Sequence, residues 1–434
     1  MKIPHLFRVK SEDRPFYLAI AVLLVFYAVL VLVFSPEGEV GDEDRYIGYA
    51  ENLSNGFYVN ADRPDFTNGP VYPVILTPLV MMDAPLIALR MLNIFFLAGA
   101  VVFFYRAARL YISPGWALAF SLILGLNPIQ LRYIAHAKTE AVSVFFFCAF
   151  LWALAHFLKR DKWEWKWAIG VSVFFALLAL TRVLFGYVAT AGLLAIPVGC
   201  FIFGHRQQLL KAVVPFGIAL VLCLPWLSYT YKYTGQYYCW STNGGELLYW
   251  ITSPYEGEWG SWFSLDDLSE RPLAAERHAK IMVAIESARY VDQDVFWKKY
   301  AMENVRENPK ALARNLAANF NRIFFAFPRS YRQEELKTIF WIVPSGITLF
   351  LAAFAVYPTI KGWRRIPLVV KISGMIGLIF FCGSVLLPAE PRYLLPVVPA
   401  MLFWLAFVYD KLIQIRITPA EAELTPALHG RDAP

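Results

Sequence analysis

Charge is scarce in this chain. Asp, Glu, Lys and Arg make up 17% of its 434 residues, against roughly 25% in an average soluble protein. That shortage excludes the two or three soluble domains that length alone would suggest. Cysteine is sparse and unpatterned: Cys148, Cys200, Cys223 and Cys382 fall in apolar stretches, and Cys239 stands alone in a polar one. With no Cys-x-x-Cys or metal-ligand spacing, neither a disulfide framework nor a cysteine metal site is expected. The net charge is +7, yet no basic stripe with nucleic-acid spacing exists, so nucleic acid is not a partner. A cleavage site is missing too. The apolar run behind MKIPHLFRVKSEDR is too long for a signal-peptide core and leads into FSPEGEV, so it reads as a retained first span. No soluble-repeat period and no inverted repeat is visible.

What the chain has in abundance is apolar sequence, at 58% of residues. Runs of roughly 18 or more apolar residues recur, which marks membrane-spanning helices. Spans are expected at about 16–34, 86–105, 115–132, 140–158, 167–182, 184–203, 212–230, 338–357, 367–387 and 393–413. The fold class is therefore an all-α polytopic membrane protein of about ten transmembrane helices. The stretch 70–83, PVYPVILTPLVMMD, is short and holds three prolines, so it reads as a re-entrant or interfacial piece. The 14 Trp and 23 Tyr suit two lipid–water boundaries, and membrane lipids are expected partners.

Basic residues cluster on one side of these spans: Lys2, Arg8, Lys10 and Arg14, then Arg106 and Arg109, then KRDKWEWK, HRQQLLK, KGWRR and KLIQIR. The positive-inside rule makes that side the cytoplasm and, with an even span count, puts both termini there. The opposite side carries a first outer loop rich in acids and a large loop over 231–337. The domains read as an N-terminal transmembrane module (1–230) with its first outer loop at 35–85, an outer loop domain (231–337), C-terminal transmembrane helices (338–414) and a cytoplasmic tail (415–434). Chemistry is expected on the loop-rich outer face. Within the large loop, 272–327 reads as amphipathic helices, with Ala275, Ala279, Met282 and Ile285 at helical spacing and a break at Asn308-Pro309. His278 is expected to be solvated there. Arg90 and Lys371, near span ends, are expected to reach the interface.

One polar stretch stands out: GDEDRYIGYAENLSNGFY, 41–58, directly behind the first span. As a helix it places Asp42, Tyr46, Tyr49 or Ala50, Leu53 and Phe57 on one face. Such a helix would lie along the membrane with its aromatic face in the headgroups. Acids at a helix start also simply complement the helix dipole. Further on, His136 and Glu140 are one turn apart. The pair leaves a divalent metal open, but two unlike ligands are too few to define a metal site. Glu140 at a span start has the same dipole explanation.

The order of these features resembles the bacterial dolichyl-phosphate-mannose-protein-mannosyltransferase-like glycosyltransferases, a GT-C group that includes the aminoarabinose transferase of lipid A. The resemblance rests on Asp42-Glu43-Asp44-Arg45-Tyr46, on Pro70-Val71-Tyr72-Pro73, on HAKTEAVSVFFFCAFLWAL (136–154), on ALLALTRVLFGYV (176–188), and on STNGGELLYWITSP and EPRYLLPVVPA. It covers nearly the whole chain. It departs at Val183, where the group usually has a proline. It implies a GT-C-like bundle with a juxtamembrane outer helix and a mixed outer loop domain. It also implies a sugar donor on a polyprenyl phosphate and transfer to a lipid, glycan or protein hydroxyl, usually with inversion. Asp42, Glu43 and Glu140 would be catalytic. Arg182, Arg392, Lys138 and Tyr393 would meet the donor phosphate, and Tyr46, Tyr72 and His136 the acceptor or sugar. A bacterial inner membrane with the active site on its periplasmic face follows from the same resemblance.

Physical chemistry agrees with that placement. A polyprenyl tail is solvated only by lipid, so its phosphate sits at the headgroup plane and catalytic groups must sit at span ends. Asp42 would accept the proton of the attacking hydroxyl. The phosphate leaves as an anion and needs cations rather than a general acid. A transporter or flippase is the main rival. Transporters place ionisable groups near the bilayer midplane between matching halves, whereas here charges gather at span ends and the halves do not match.

Overall fold

In the computed structural model, residues 11–202, 208–264, 267–268, 270–330 and 339–413 are described, with 339–341 as backbone only. The tail expected at 415–434 and residues 203–207 of the HRQQLLK turn lie outside them. Among the described residues all regular structure is helical. In chain order the helices are α1 (Arg14–Phe34), α2 (Glu43–Ser54), α3 (Val71–Val80), α4 (Leu86–Ala108), α5 (Pro114–Gly125), α6 (Pro128–Tyr133), α7 (Thr139–Lys159), α8 (Trp165–Thr181), α9 (Leu184–Ile202) and α10 (Leu209–Thr234). Then follow α11 (Gly244–Ile251), α12 (Pro272–Glu286), α13 (Tyr290–Glu307), α14 (Pro309–Phe325), α15 (Ile339–Lys361), α16 (Leu368–Val385), a 3-10 turn over Pro391–Val397, and α17 (Val398–Lys411).

Eight of these are long and apolar enough to cross a membrane: α1, α4, α7, α9, α10, α15, α16 and the 3-10 turn continued by α17. The chain is a multi-pass membrane protein. Three further apolar helices, α3, α5 and α8, are shorter. The stretch expected as one span at 115–132 is broken. Pro128 cannot continue a helix, and Asn127 starts a new one by accepting the Ile129 and Gln130 amides through its side chain. The centre of the bundle is α7, with 83% of its apolar window buried, while α15 has 6% buried and lies at the periphery.

The two ends of the bundle differ in chemistry. At one end Arg109 pairs with Glu12 and Asp13, Asp410 accepts from Ser113, and the Lys211 ammonium donates to the carbonyls of Arg160, Asp161 and Lys162. These are the basic turns of the sequence, tied together. The other end carries α2, the 35–70 segment, α6, the Pro391–Val397 turn and the helices α11–α14.

α2 departs from its expected surroundings. Tyr46, Tyr49 and Ala50 are buried, but against protein rather than headgroups. The Tyr49 ring stacks on Tyr58 at 4.5 Å, and Tyr46 meets Tyr72 edge-on at 5.3 Å. The 56–70 segment folds back over the helix, held by Tyr49 Oη donating to the Asp65 carbonyl at 3.1 Å and Tyr58 Oη to the Asn68 carbonyl at 2.9 Å. Phe57 alone of the expected face is exposed.

The helices α11, α12 and α13, with the segment between α11 and α12, build a second, small core from Tyr249, Trp250, Phe263, Leu268, Ala274, Ile281, Trp297 and Ala301. The buried stripe of α12 is Ala274, His278 and Ile281, one residue before the stripe expected from Ala275, Ala279 and Met282. His278 is therefore buried, not solvated. Its Nδ1 lies 2.7 Å from Tyr249 Oη and its Nε2 3.2 Å from Glu258 Oε2, which satisfies both ring nitrogens.

Candidate active site

α2 starts where the first span has just ended, and its start is fixed by an ion pair. Glu43, fully buried, takes Arg90 of α4 in a two-pronged contact, Nε to Oε1 and Nη2 to Oε2, both at 2.9 Å. Arg90 also donates to the carbonyls of Pro36 and Gly38. The amides of Val40 and Ala137 complete the Glu43 oxygens at 2.8 and 2.5 Å. Burial alone would raise the Glu43 carboxyl. The His136, Arg90 and amide contacts outweigh it and hold that carboxyl well below its ordinary range. Arg90 is thus an internal partner of the site and does not reach out to the interface as expected.

With Glu43 anchored, Asp42 points the other way, into a cavity of about 750 Å³. Asp42 Oδ2 lies 2.9 Å from Arg392 Nη1, and Oδ1 lies 3.1 Å from Arg45 Nη2. Burial pushes the Asp42 carboxyl up, but Arg392 and Arg45 together hold it below its ordinary value. Glu140, at the start of α7, binds two arginines: its Oε1 is 2.9 Å from Arg182 Nη2 and 3.6 Å from Arg392 Nη1. A continuous charge chain results, Arg45–Asp42–Arg392–Glu140–Arg182, contributed by α2, the Pro391–Val397 turn, α7 and the residue capping α8. Among the described residues, Glu140 Oε2 and Arg182 Nε are buried with no hydrogen-bond partner.

Asn68 braces this chain. Its Oδ1 accepts from Arg45 Nη1 at 3.3 Å and its Nδ2 donates to Tyr46 Oη at 3.0 Å. Tyr46 Oη in turn lies 3.3 Å from Thr139 Oγ1. Gly69 is required next to it, because a Cβ there would stand 2.0 Å from the Leu180 carbonyl oxygen. That close approach seats the 65–70 segment on the end of α8, beside Arg182.

The structure therefore sorts the sequence candidates. Asp42, Tyr46, Arg182, Arg392 and Tyr393 line the cavity. Glu43, Glu140, Lys138, Tyr72 and His136 stand behind that lining. Lys138 is buried, with its ammonium over the Tyr133 ring at 5.9 Å. His136 Nδ1 is 3.9 Å from Glu43 Oε2. Tyr72 is fully buried against Tyr46. Among the described residues no three His, Cys, Asp or Glu side chains gather to hold a metal ion, and the His136–Glu140 pair does not form one, since His136 faces Glu43. Sequence reasoning missed Arg45, Asn68, Arg132, Glu246, Trp262 and Arg322, all on the cavity wall. Arg132 had a signal in the Asn127-Pro128 break that carries it there. Glu246 lies in the STNGGELLYWITSP stretch that carries the resemblance but was not singled out within it; Trp262 and Arg322 had no signal, because the folding of α11–α14 brings them in.

A helical membrane bundle with a short helix behind its first span and a cluster of further helices over a span-end cavity is the GT-C fold, and this chain has it. Residues 67–229 match the family model described as dolichyl-phosphate-mannose-protein mannosyltransferase. The oligosaccharyltransferase of Archaeoglobus fulgidus, tethered to an acceptor peptide, is similar in structure with a TM-score of 0.55 at 13% identity, covering 92% of this chain and 50% of that one. The archaeal oligosaccharyltransferase AglB from the same organism, in complex with an inhibitory peptide and a dolichol-phosphate, aligns with a TM-score of 0.50 at 15% identity, over 92% of this chain and 51% of that one. This chain thus spans about half the length of those enzymes. ArnT from Cupriavidus metallidurans bound to undecaprenyl phosphate aligns at a TM-score of 0.43 and 14% identity, over 92% of this chain and 77% of that one. None of the curated proteins matches the sequence.

Proposed function

We propose that the chain is a membrane glycosyltransferase that moves a sugar from a polyprenyl phosphate to an acceptor hydroxyl, with Asp42 as the base, on the outer face of a bacterial inner membrane. The observation that carries this reading is the convergence of Asp42 with Arg392 and Arg182 on one cavity at a span end. A phosphate placed between the two guanidiniums would find donors already oriented by Glu140, including the unpartnered Arg182 Nε. The same cavity is lined by Leu184, Phe380 and Leu387, which belong to or adjoin membrane helices and suit the first units of a prenyl tail.

The reaction is a single displacement. The acceptor oxygen attacks the anomeric carbon, and the bond from that carbon to the phosphate oxygen breaks. The polyprenyl phosphate departs as an anion against Arg182 and Arg392, and the hydroxyl proton passes to the Asp42 carboxylate. Inversion follows from one displacement. Glu43 and Glu140 act through others: Glu43 fixes the start of α2 and Glu140 orients the two arginines. Lys138, close enough to Asp42 to lower its carboxyl, adds positive potential.

The test is direct. Asp42→Asn should lose transfer by at least 10²-fold, the general-base contribution, while folding and inserting normally. Arg182→Ala should lose binding of undecaprenyl phosphate. Mass spectrometry of glycolipids from cells lacking the protein should show an accumulated polyprenyl-linked sugar. Full activity of Asp42→Asn would remove it from the base role. Movement of substrate across reconstituted vesicles with no covalent product would instead favour a flippase.

A further inference from the structure

The cavity has two chemically different walls. On one side of Asp42 stand Arg392 and Arg182. On the other, Arg45 leads from Asp42 toward Asp65 and Glu246, whose charges it feels. Glu246 comes from α11, and its Oε1 accepts the Trp262 indole N–H at 2.8 Å. Tyr290, at the start of α13, lies within the influence of both Asp65 and Glu246. All four side chains line the cavity with Asp42.

Two features of this wall call for a ligand. Trp262 lines the cavity beyond the span ends and leaves 45% of its surface exposed. Glu246 is half-buried, and that burial raises its carboxyl above the ordinary range. A carboxylate oriented by an indole beside an exposed aromatic ring matches a sugar ring. The C–H face of a pyranose is weakly positive and rests on the negative face of a π-system, while its hydroxyls donate to carboxylates. A prenyl or acyl chain would gain nothing from Glu246 and Asp65. A cationic peptide is not selected either, because Arg45, Arg271, Arg322 and Arg329 line the same cavity.

We propose that Trp262, Glu246, Asp65 and Tyr290 form a carbohydrate subsite, with the ring on Trp262 and its hydroxyls on Glu246 and Asp65. It deepens the transferase reading and rests on it for the sugar's role, though the subsite can be tested apart from transfer. The ring belongs either to a glycan acceptor or to the donor's own sugar.

The experiment is saturation-transfer NMR on the full chain in lipid nanodiscs, with methyl α-mannoside, methyl β-glucoside and methyl β-N-acetylglucosaminide as probes and a Ser/Thr-rich peptide as control. At least one glycoside should receive saturation, strongest at its ring C–H protons. Trp262→Leu should abolish that signal and the near-isosteric Glu246→Gln should reduce it severalfold, with undecaprenyl phosphate binding intact in both as proof of folding. Arg182→Ala should leave the glycoside signal unchanged. If undecaprenyl-phosphate-mannose displaces the glycoside, the ring is the donor's; if both bind together, it is the acceptor's, and either result upholds the subsite. Absence of any glycoside signal, a signal indifferent to both variants, or Trp262-dependent binding of the peptide instead would overturn it. A native protein that binds glycoside through Trp262 but does not bind undecaprenyl phosphate would keep the subsite and sink the transferase reading.

Discussion

Asp42 carries a tension that its neighbours resolve. A base works best with a pKa near the working pH, yet Arg392 and Arg45 hold this carboxyl below its ordinary value. Proton transfer then belongs late in the displacement, when the acceptor oxygen has already bonded to carbon and become strongly acidic. The same pairing keeps Asp42 ionised at every pH the cell meets. Its deprotonated, active form is lost only as pH falls through that lowered pKa. Arg45 is one of the two main lowering charges and sits away from the arginines assigned to phosphate. Arg45→Gln should therefore shift the acid limb of the rate–pH profile upward, measured at saturating donor, with the alkaline side unchanged. Profiles that superimpose would show that Asp42 does not titrate in the rate-limiting step.

The elements around the site are held by few, costly contacts. The Glu43–Arg90 pair joins the start of α2 to α4 with both side chains essentially out of water. Removing one partner of such a pair leaves an uncompensated buried charge, at a cost of about 3 kcal/mol or more. Glu43→Gln should lower stability by that order in thermal unfolding of the detergent-solubilised protein, and Arg90→Met added to it should recover part of the loss. The pH sign is fixed as well. Glu43 is held below its ordinary pKa, so its stabilisation is complete above the unfolded value of about 4.3 and drains away as pH falls toward the folded one. Gly69→Ala is the backbone counterpart. Its Cβ would meet the Leu180 carbonyl oxygen, so the 65–70 segment must lift from α8, and binding of undecaprenyl phosphate at Arg182 should weaken while the bundle stays folded.

These elements also mark what the sequence discloses. The apolar runs disclosed the spans because a helix of that length in lipid satisfies its own backbone. The start of α2 was legible from Gly41 and the acids behind it. What escaped were contacts set by tertiary packing. Arg90 looked like one more span-end cation, since nothing local shows that Glu43 folds back onto it. His278 looked like a solvated residue on a charged helix, although its spacing of four from Ala274 and three to Ile281 is that of a buried face. Glu246 sat unremarked inside STNGGELLYWITSP, and Trp262 gave no signal, because both reach the cavity only through the fold of α11–α14. Span-end position alone did not separate Arg182 and Arg392 from Arg90 and Lys371; Arg182 and Arg392, with Asp42, were named because the TRV, EPRYLLP and DEDRY stretches resemble family segments.

The orientation of the bundle decides which compartment the cavity opens to. The bundle has one end where Arg109, Lys211, Arg160 and Lys411 tie short turns together and another where the cavity and the outer helices sit. Short basic loops stay on the side from which the chain is inserted, so the cavity should open to the periplasm, where a lipid-borne sugar can be used without a nucleotide donor beside it. Only Cys382 among the five cysteines is exposed, so a Cys382→Ser background allows single-cysteine labelling. In that background Tyr237→Cys, on the exposed turn after α10, should react with a membrane-impermeant maleimide in intact spheroplasts. Lys166→Cys, at the exposed start of α8 on the basic end, should react only after the membrane is opened. The reverse pattern would put Asp42 in the cytoplasm and end the case for a periplasmic transferase. Labelling of both sites from outside would mean that the two ends of the bundle do not face opposite compartments, contrary to the bundle the helices form.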